Sequence, residues 1–309
     1  MKLAIVFPGQ GSQSVGMLRG YADVPQVIEA LLEAKEVMGE DFIRLLEEGP
    51  SEALNLTINT QPAMLTAGTA AYRAWLAAGG PKPEVLAGHS LGEYTALVAA
   101  GAIALRDALP LVRFRAEAMQ EAVPEGEGAM AAILGLDDQG VRAACAEAQG
   151  AVQAVNFNAP GQVVIAGQKA AVERAVLLCK SRGAKRAMTL PVSAPFHSSL
   201  MKPAGERLQG YLKEVRVSMP QIPVIHNVDV KIATSPQGIK DALVRQAAAP
   251  VRWVETIQTM AQLGVTHVVE CGPGKVLSGL TKRISSELQS FAVTDQASCE
   301  QAVAAVKGA

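Results

Sequence analysis

Between residues 85 and 100 the chain reads Val-Leu-Ala-Gly-His-Ser-Leu-Gly-Glu-Tyr-Thr-Ala-Leu-Val-Ala-Ala: an apolar strand, the pattern G-x-S-x-G, and a helical run, with nothing between them. A serine on so sharp a strand-to-helix turn is the nucleophile elbow of α/β proteins, in which the strand ends inside a sheet and the helix packs back over it. The bare pattern also occurs in plain tight turns; the flanking strand and helix are what favour catalysis. A side chain at position 88 or 92 would collide with the neighbouring strand or helix, which explains both glycines. The turn holds Ser90 exposed at the positive end of the following helix, with the Leu91 N–H directed toward any oxyanion formed on an attacked carbonyl.

A serine nucleophile needs a base within hydrogen-bond reach, and the chain has four histidines. His89 adjoins the serine, but neighbouring side chains diverge on an elbow, so it is assigned to packing or hydrogen bonding beneath the turn. His226 ends the apolar run Ile222-Pro223-Val224-Ile225 and His267 lies within Val265-Thr266-His267-Val268-Val269; both read as structural strand residues. His197 differs. It follows the irregular segment Pro191-Val192-Ser193-Ala194-Pro195-Phe196 and precedes an amphipathic helix expected over 198–215, a loop-to-helix junction of the kind that carries a base. The alternative for it is a satisfied surface histidine. Triad order would require an acid between 90 and 197, but Asp137 and Asp138 begin a helix, where capping is the expected job.

The glycine-rich segment Phe7-Pro8-Gly9-Gln10-Gly11-Ser12-Gln13 follows the apolar run Leu3-Ala4-Ile5-Val6. It is not a dinucleotide fingerprint. Gly9 and Gly11 fit the first two positions of G-x-G-x-x-G, but Ser14 stands at the third, and the stretch 24–37 has helical spacing where a second strand and its acid would be needed. With 28 basic against 29 acidic residues, a net charge of -1, the chain carries no electrostatic footprint for nucleic acid. No apolar stretch is long enough for a membrane span, and Met1-Lys2 leads straight into a strand rather than a signal peptide. The expectation is a cytoplasmic protein. Cys145, Cys179, Cys271 and Cys299 are scattered without a C-x-x-C pair, which argues against a zinc site or a disulfide framework and for buried thiols.

Periodicity predicts strand 3–7, helices 25–38 and 62–78, strand 84–88, and helices 91–101 and 106–121, the start of an α/β unit with a largely parallel sheet. From Ala129 the pattern changes to strand, helix, strand, turn, strand, helix, strand, ending near Val192. This βαββαβ order is ferredoxin-like. Helices and short apolar strands then resume the first unit as far as Phe291-Ala292-Val293. The expected fold is therefore a hydrolase-like α/β subdomain over 1–125 and 194–309, with a ferredoxin-like insertion over 126–193 and a substrate cleft between them.

Taken in order, "FPGQGSQ", "GHSLGEY", "MQEAVPEGEGAMAA", "VNFNAPGQVVIAG", "APFHSSLMKPA", "NVD" and "GPGKVLSGLTKR" make the chain resemble the bacterial malonyl-CoA:acyl carrier protein transacylases, and the acyltransferase domains of fatty-acid and polyketide synthases, along essentially its whole length. The resemblance implies malonyl transfer from malonyl-CoA to acyl carrier protein through a malonyl-serine ester, with Ser90 as nucleophile and His197 as base. It implies the backbone N–H of Gln10 as second oxyanion donor beside Leu91, and the main-chain carbonyl of Gln246, in place of an acid, as the group orienting the histidine. No cofactor or metal is implied. A monomer is expected.

A malonyl carboxylate that enters a cleft loses hydration, and a bidentate guanidinium replaces it best. Arg113 and Arg115, two residues apart on a helix, face different ways; the family pattern R-x-x-x-M-Q selects Arg115. The likeness also puts Asn156 in the cleft, and Phe196 as the bulky residue before the histidine that would crowd an α-methyl group. Family carrier proteins are acidic, which nominates Lys185 and Arg186 in one basic cluster, and Lys275, Lys282 and Arg283 in another, as docking residues; a solvated basic face is the alternative. Competing functions are a serine acyl hydrolase or thioesterase, a polyketide-pathway acyltransferase, and a noncatalytic carrier-docking module.

Overall fold

The computed structural model describes residues 1–21, 23–192 and 194–308. Its strands are β1 (Leu3–Phe7), β2 (Val85–Gly88), β3 (Gly128–Leu134), β4 (Val152–Ala159), β5 (Gln162–Gln168), β6 (Arg186–Thr189), β7 (Val224–Ile225), β8 (His267–Cys271) and β9 (Gln289–Val293). Two sheets result. One is parallel throughout, in the order β7-β2-β1-β8-β9; the other is antiparallel, β4-β5-β3-β6.

The parallel sheet is covered on both faces, and its central strands are accordingly unbroken apolar runs: every residue of Leu3–Phe7 and of Val85–Gly88 is buried. One face packs on helix Thr57–Ala77, which lies so deep that it has almost no polar side and uses small residues to approach its neighbours. At Gly68, for example, a Cβ would lie 2.7 Å from the Thr95 side chain. The helix starts at Thr57, five residues before the expected start, because Pro62 lies inside it rather than at its first turn. Three further helices were not anticipated: Glu40–Glu48, the single turn Ser51–Leu54, and the closing helix Gln296–Lys307, capped by Asp295.

The inserted sheet has the βαββαβ connectivity. Helices Asp138–Glu147 and Lys169–Ser181 seal one face over Ala131, Ile133, Val163 and Ile165, and Asp137 caps the first of them through the Gly140 N–H at 2.7 Å. The opposite face, Met130, Val155, Val164 and Ala166, packs against Leu190, Val192 and Phe196 and turns toward the large sheet. The inserted sheet is joined to the large unit at Val251, whose side chain shares a core cluster with Val6 and Ala87, whose N–H donates to the Val155 carbonyl at 2.8 Å and whose carbonyl accepts from the Phe157 N–H at 3.0 Å. Downstream of His197 the expected helix is shorter, Lys202–Leu212 after a 3-10 turn at Ser199–Met201.

Candidate active site

The elbow is tight enough to exclude any side chain at its glycines. A Cβ on Gly88 would sit 1.9 Å from the Gly92 carbonyl, and one on Gly92 would sit 2.1 Å from the Phe7 oxygen. Between them Ser90 adopts φ 51°, ψ −108°, a left-handed conformation that L-residues avoid unless the surroundings impose it. The imposing contacts are visible: the His89 N–H donates to the Phe7 carbonyl at 3.0 Å, the Gly92 N–H to the His89 carbonyl at 2.8 Å, and the Ser90 N–H to Asn227 Oδ1 at 2.8 Å. At Gly9 a Cβ would meet the His89 carbonyl oxygen at 2.6 Å. The bareness of this glycine lets the first loop lie on the elbow.

Ser90 Oγ lies 2.7 Å from His197 Nε2, and His197 Nδ1 lies 2.9 Å from the Gln246 carbonyl oxygen. A carbonyl only accepts, so Nδ1 carries the proton and Nε2 is left with its lone pair facing the serine. His197 also has positive φ, 63°. It is 3% exposed, and burial together with the positive Arg115 brings its pKa down to about 3, so the ring is neutral.

Arg115 is buried in helix Leu105–Glu121, while Arg113 faces outward and pairs with Glu117. The Arg115 guanidinium donates from Nη1 to Gln61 Oε1 at 2.7 Å, and from Nη2 both to Gln246 Oε1 at 2.9 Å and to Ser90 Oγ at 3.1 Å, with Tyr94 stacked 5.2 Å away. Ser90, His197, Arg115, Gln10, Leu91, Asn156 and Phe196 all line one cavity of about 130 Å³, with Met119, Met130, Leu190 and Val192 as its apolar wall. Asn156 Oδ1 is buried in that wall without a hydrogen-bond partner. Among the described residues, neither the Gln10 nor the Leu91 main-chain N–H has an acceptor, and both residues line the cavity.

Of the other histidines, His89 also lines this cavity, but its ring bonds away from Ser90. His89 bonds Asn158 Oδ1 at 2.8 Å and packs on Trp253; His267 lies in β8. His226 is not within a strand: β7 is only two residues long and ends just before it. Its Nδ1–H donates to buried Glu93 at 2.7 Å. Burial pulls His226 down, but the hydrogen bond and charge of Glu93 outweigh it and hold the imidazole above its ordinary pKa. Glu93, Asn227 and Gln61 were not anticipated as site residues; the letters "GEY" and "NVD" were the available signal, without a partner to give them meaning.

The nominated basic residues lie away from the cavity. Lys185 and Arg186 are exposed beside β6, and Lys275 and Lys282 are exposed around helix Val276–Ile284. Arg283 is partly engaged, bonding Gln162 Oε1 and, at 3.2 Å, the Pro160 carbonyl. All four cysteines are buried and free. Among the described residues no group of three or more His, Cys, Asp or Glu side chains is placed to hold a metal ion, and no helix is long and apolar enough to cross a membrane.

A parallel sheet with a serine and histidine joined on such an elbow defines the class of α/β acyl-transferring enzymes with a serine nucleophile. Comparison narrows the class: the acyl transferase domain model matches residues 4–303, and the chain belongs to that family. It is 55% identical over 301 residues to the malonyl CoA-acyl carrier protein transacylase of Haemophilus influenzae, covering 96% of both chains. A solved acyl-carrier-protein S-malonyltransferase from Burkholderia pseudomallei superposes with a TM-score of 0.97 at 64% identity, over 98% of this chain and 100% of the other. A malonyl-transacylase solved in complex with a type II polyketide-synthase acyl-carrier protein gives a TM-score of 0.96 at 52% identity, over 99% and 100%.

Proposed function

We infer that this enzyme transfers the malonyl group of malonyl-CoA to the phosphopantetheine thiol of acyl carrier protein in fatty-acid biosynthesis, through a malonyl-serine ester. The observation that carries the reading is the convergence on one atom, Ser90 Oγ, of His197 Nε2 at 2.7 Å and Arg115 Nη2 at 3.1 Å. In a malonyl thioester one methylene separates the reacting carbonyl from the carboxylate. A cation beside the nucleophile is therefore where that carboxylate falls when the carbonyl meets Ser90. The names of the relatives support the same reaction, as does the relative bound to a carrier protein.

In this mechanism His197 takes the Ser90 proton as Oγ attacks the thioester carbon. The N–H groups of Gln10 and Leu91 hold the oxyanion, and the imidazolium returns the proton to the departing CoA thiolate. The Gln246 carbonyl stabilises the imidazolium. The carrier thiol then gives its proton to His197 and attacks the ester; the imidazolium returns that proton to the departing Ser90 Oγ, and the malonyl thioester of the carrier leaves. Arg115 also sets the timing. Its unpaired charge disfavours a protonated His197, and a bound carboxylate compensates that charge, so the base strengthens when malonyl arrives.

Asn156 and Phe196 shape the acyl space in this reading, Lys185, Arg186, Lys275, Lys282 and Arg283 face the acidic carrier, and the protein works as a cytoplasmic monomer without a cofactor. The division into 1–125 with 194–309 and an inserted 126–193 remains the proposed domain organisation; its boundary at Ser193 lies outside the described residues. Intact mass spectrometry after incubation with malonyl-CoA tests the function. A malonyl adduct on Ser90 that vanishes on adding carrier protein, and never forms in Ser90→Ala, is expected. Steady release of free malonate with no thiol acceptor would instead make this a hydrolase.

A further inference from the structure

Beneath the elbow lies a polar cluster centred on Glu93, which does not line the cavity. Its side chain is 0% exposed, a costly place for a carboxylate unless donors surround it. Three do: His226 Nδ1–H at 2.7 Å, the Asn227 main-chain N–H at 2.9 Å, and Gln246 Nε2–H at 3.0 Å. Asn227 is further pinned to the elbow, donating from Nδ2 to the Gly88 carbonyl at 2.7 Å.

Gln246 is the informative partner, because it touches His197, Arg115, Ser90 and Glu93 at once. Its main-chain oxygen accepts from His197, its Oε1 accepts from Arg115, and its Nε2 donates to the Ser90 carbonyl at 2.9 Å as well as to Glu93. A side-chain amide can be turned end for end with little change of shape; only its partners decide which end faces where. Glu93 can only accept when ionised. Together with the Ser90 carbonyl, which also only accepts, it draws Nε2 to its own side and leaves Oε1 facing the arginine.

We propose that Glu93 is a positioning residue for substrate selection, which orients the Gln246 amide and through it holds the Arg115 guanidinium beside Ser90. Gln246 Nε2 and the Asn227 N–H both donate to Glu93 Oε2, so an NH2 group placed there by Glu93→Gln sets donor against donor, and Gln246 can turn its oxygen to that NH2 and its own NH2 to Arg115. Arg115 then loses the acceptor that keeps its fork at the nucleophile. The proposal rests on the reading of Arg115 as the group that pairs with the malonyl carboxylate.

The test compares kcat/KM for malonyl-CoA and acetyl-CoA, with one carrier protein, in wild type, Glu93→Gln, Gln246→Leu and Arg115→Ala. The malonyl-to-acetyl ratio does not depend on the active fraction, so a role in folding alone leaves it unmoved. The ratio is expected to fall about tenfold or more in Glu93→Gln, the scale of losing a hydrogen bond to a charged group. A similar fall is expected in Gln246→Leu, which keeps the main-chain carbonyl on His197. Should Glu93→Gln fail to accumulate as folded protein, Gln246→Leu decides. A ratio within about twofold of wild type in the folded variant, while Arg115→Ala collapses it, overturns the role of Glu93. A ratio preserved in Arg115→Ala overturns the reading of Arg115 itself.

Discussion

Both members of the serine–histidine pair sit at positive φ, 51° for Ser90 and 63° for His197, and each such residue costs about 1–3 kcal/mol. The fold supplies that energy through buried contacts, and His197 adds a second cost that depends on pH. Its pKa is about 3 when folded, against an ordinary 6.5. Below 6.5 the unfolded chain binds a proton that the folded one refuses, so the associated stability is fully present above pH 6.5 and is lost as pH falls toward 3. His226 runs the other way, since its raised pKa gives stability that is present below 6.5 and lost at higher pH. On lowering pH from 7 to 4, His197→Gln is expected to lose less stability than wild type, by about a few kcal/mol. Denaturant titrations at the two pH values check this, and equal losses would contradict the assigned burial of a neutral imidazole.

Among the elements, the elbow and the βαββαβ unit were legible because each is written in consecutive letters: a strand period, a turn glycine, a helix period. The helix Thr57–Ala77 begins before the stretch its pattern marks because Thr57-Ile58-Asn59-Thr60 are weak helix formers, and burial against the parallel sheet overrides that preference. Ser90, His197 and Arg115 stand in recognisable local patterns. Glu93, Asn227 and the side chain of Gln61 do not, because their meaning comes from partners brought up from distant chain positions, His226 being 133 residues from Glu93. The Gln246 carbonyl was named only through family likeness; nothing local marks it. The elbow glycines yield a direct expectation. Gly88→Ala places a Cβ 1.9 Å from backbone that cannot step aside, so it should destabilise by at least the roughly 1–3 kcal/mol of an overpacked core. Gly210, where an added Cβ meets nothing within 4 Å, is the control for Ala substitution. Thermal unfolding of both variants distinguishes steric exclusion from a general sensitivity to alanine.

At the scale of the whole molecule, near-neutral overall charge puts the burden of attracting an acidic carrier on local clusters. Charge reversal at Lys185 and Arg186, and separately at Lys275 and Lys282, is expected to raise the carrier's apparent KM and flatten its salt dependence in at least one pair, with acylation by malonyl-CoA intact. Unchanged carrier KM in both pairs would leave these residues as a solvated face. The connection between the sheets has a further consequence. Gln246, at one end of a six-residue span, holds the histidine and the arginine; Val251, at the other, is sewn into the strand that carries Asn156. The span acts as a gauge block: its length sets the gap between the walls of the cavity and the heading of the groups that work inside it. An added or deleted residue there would misalign chemistry and dimension at once. Room for a larger or smaller acyl group is therefore most readily made in side chains such as Phe196 and Met130, with the gauge left untouched.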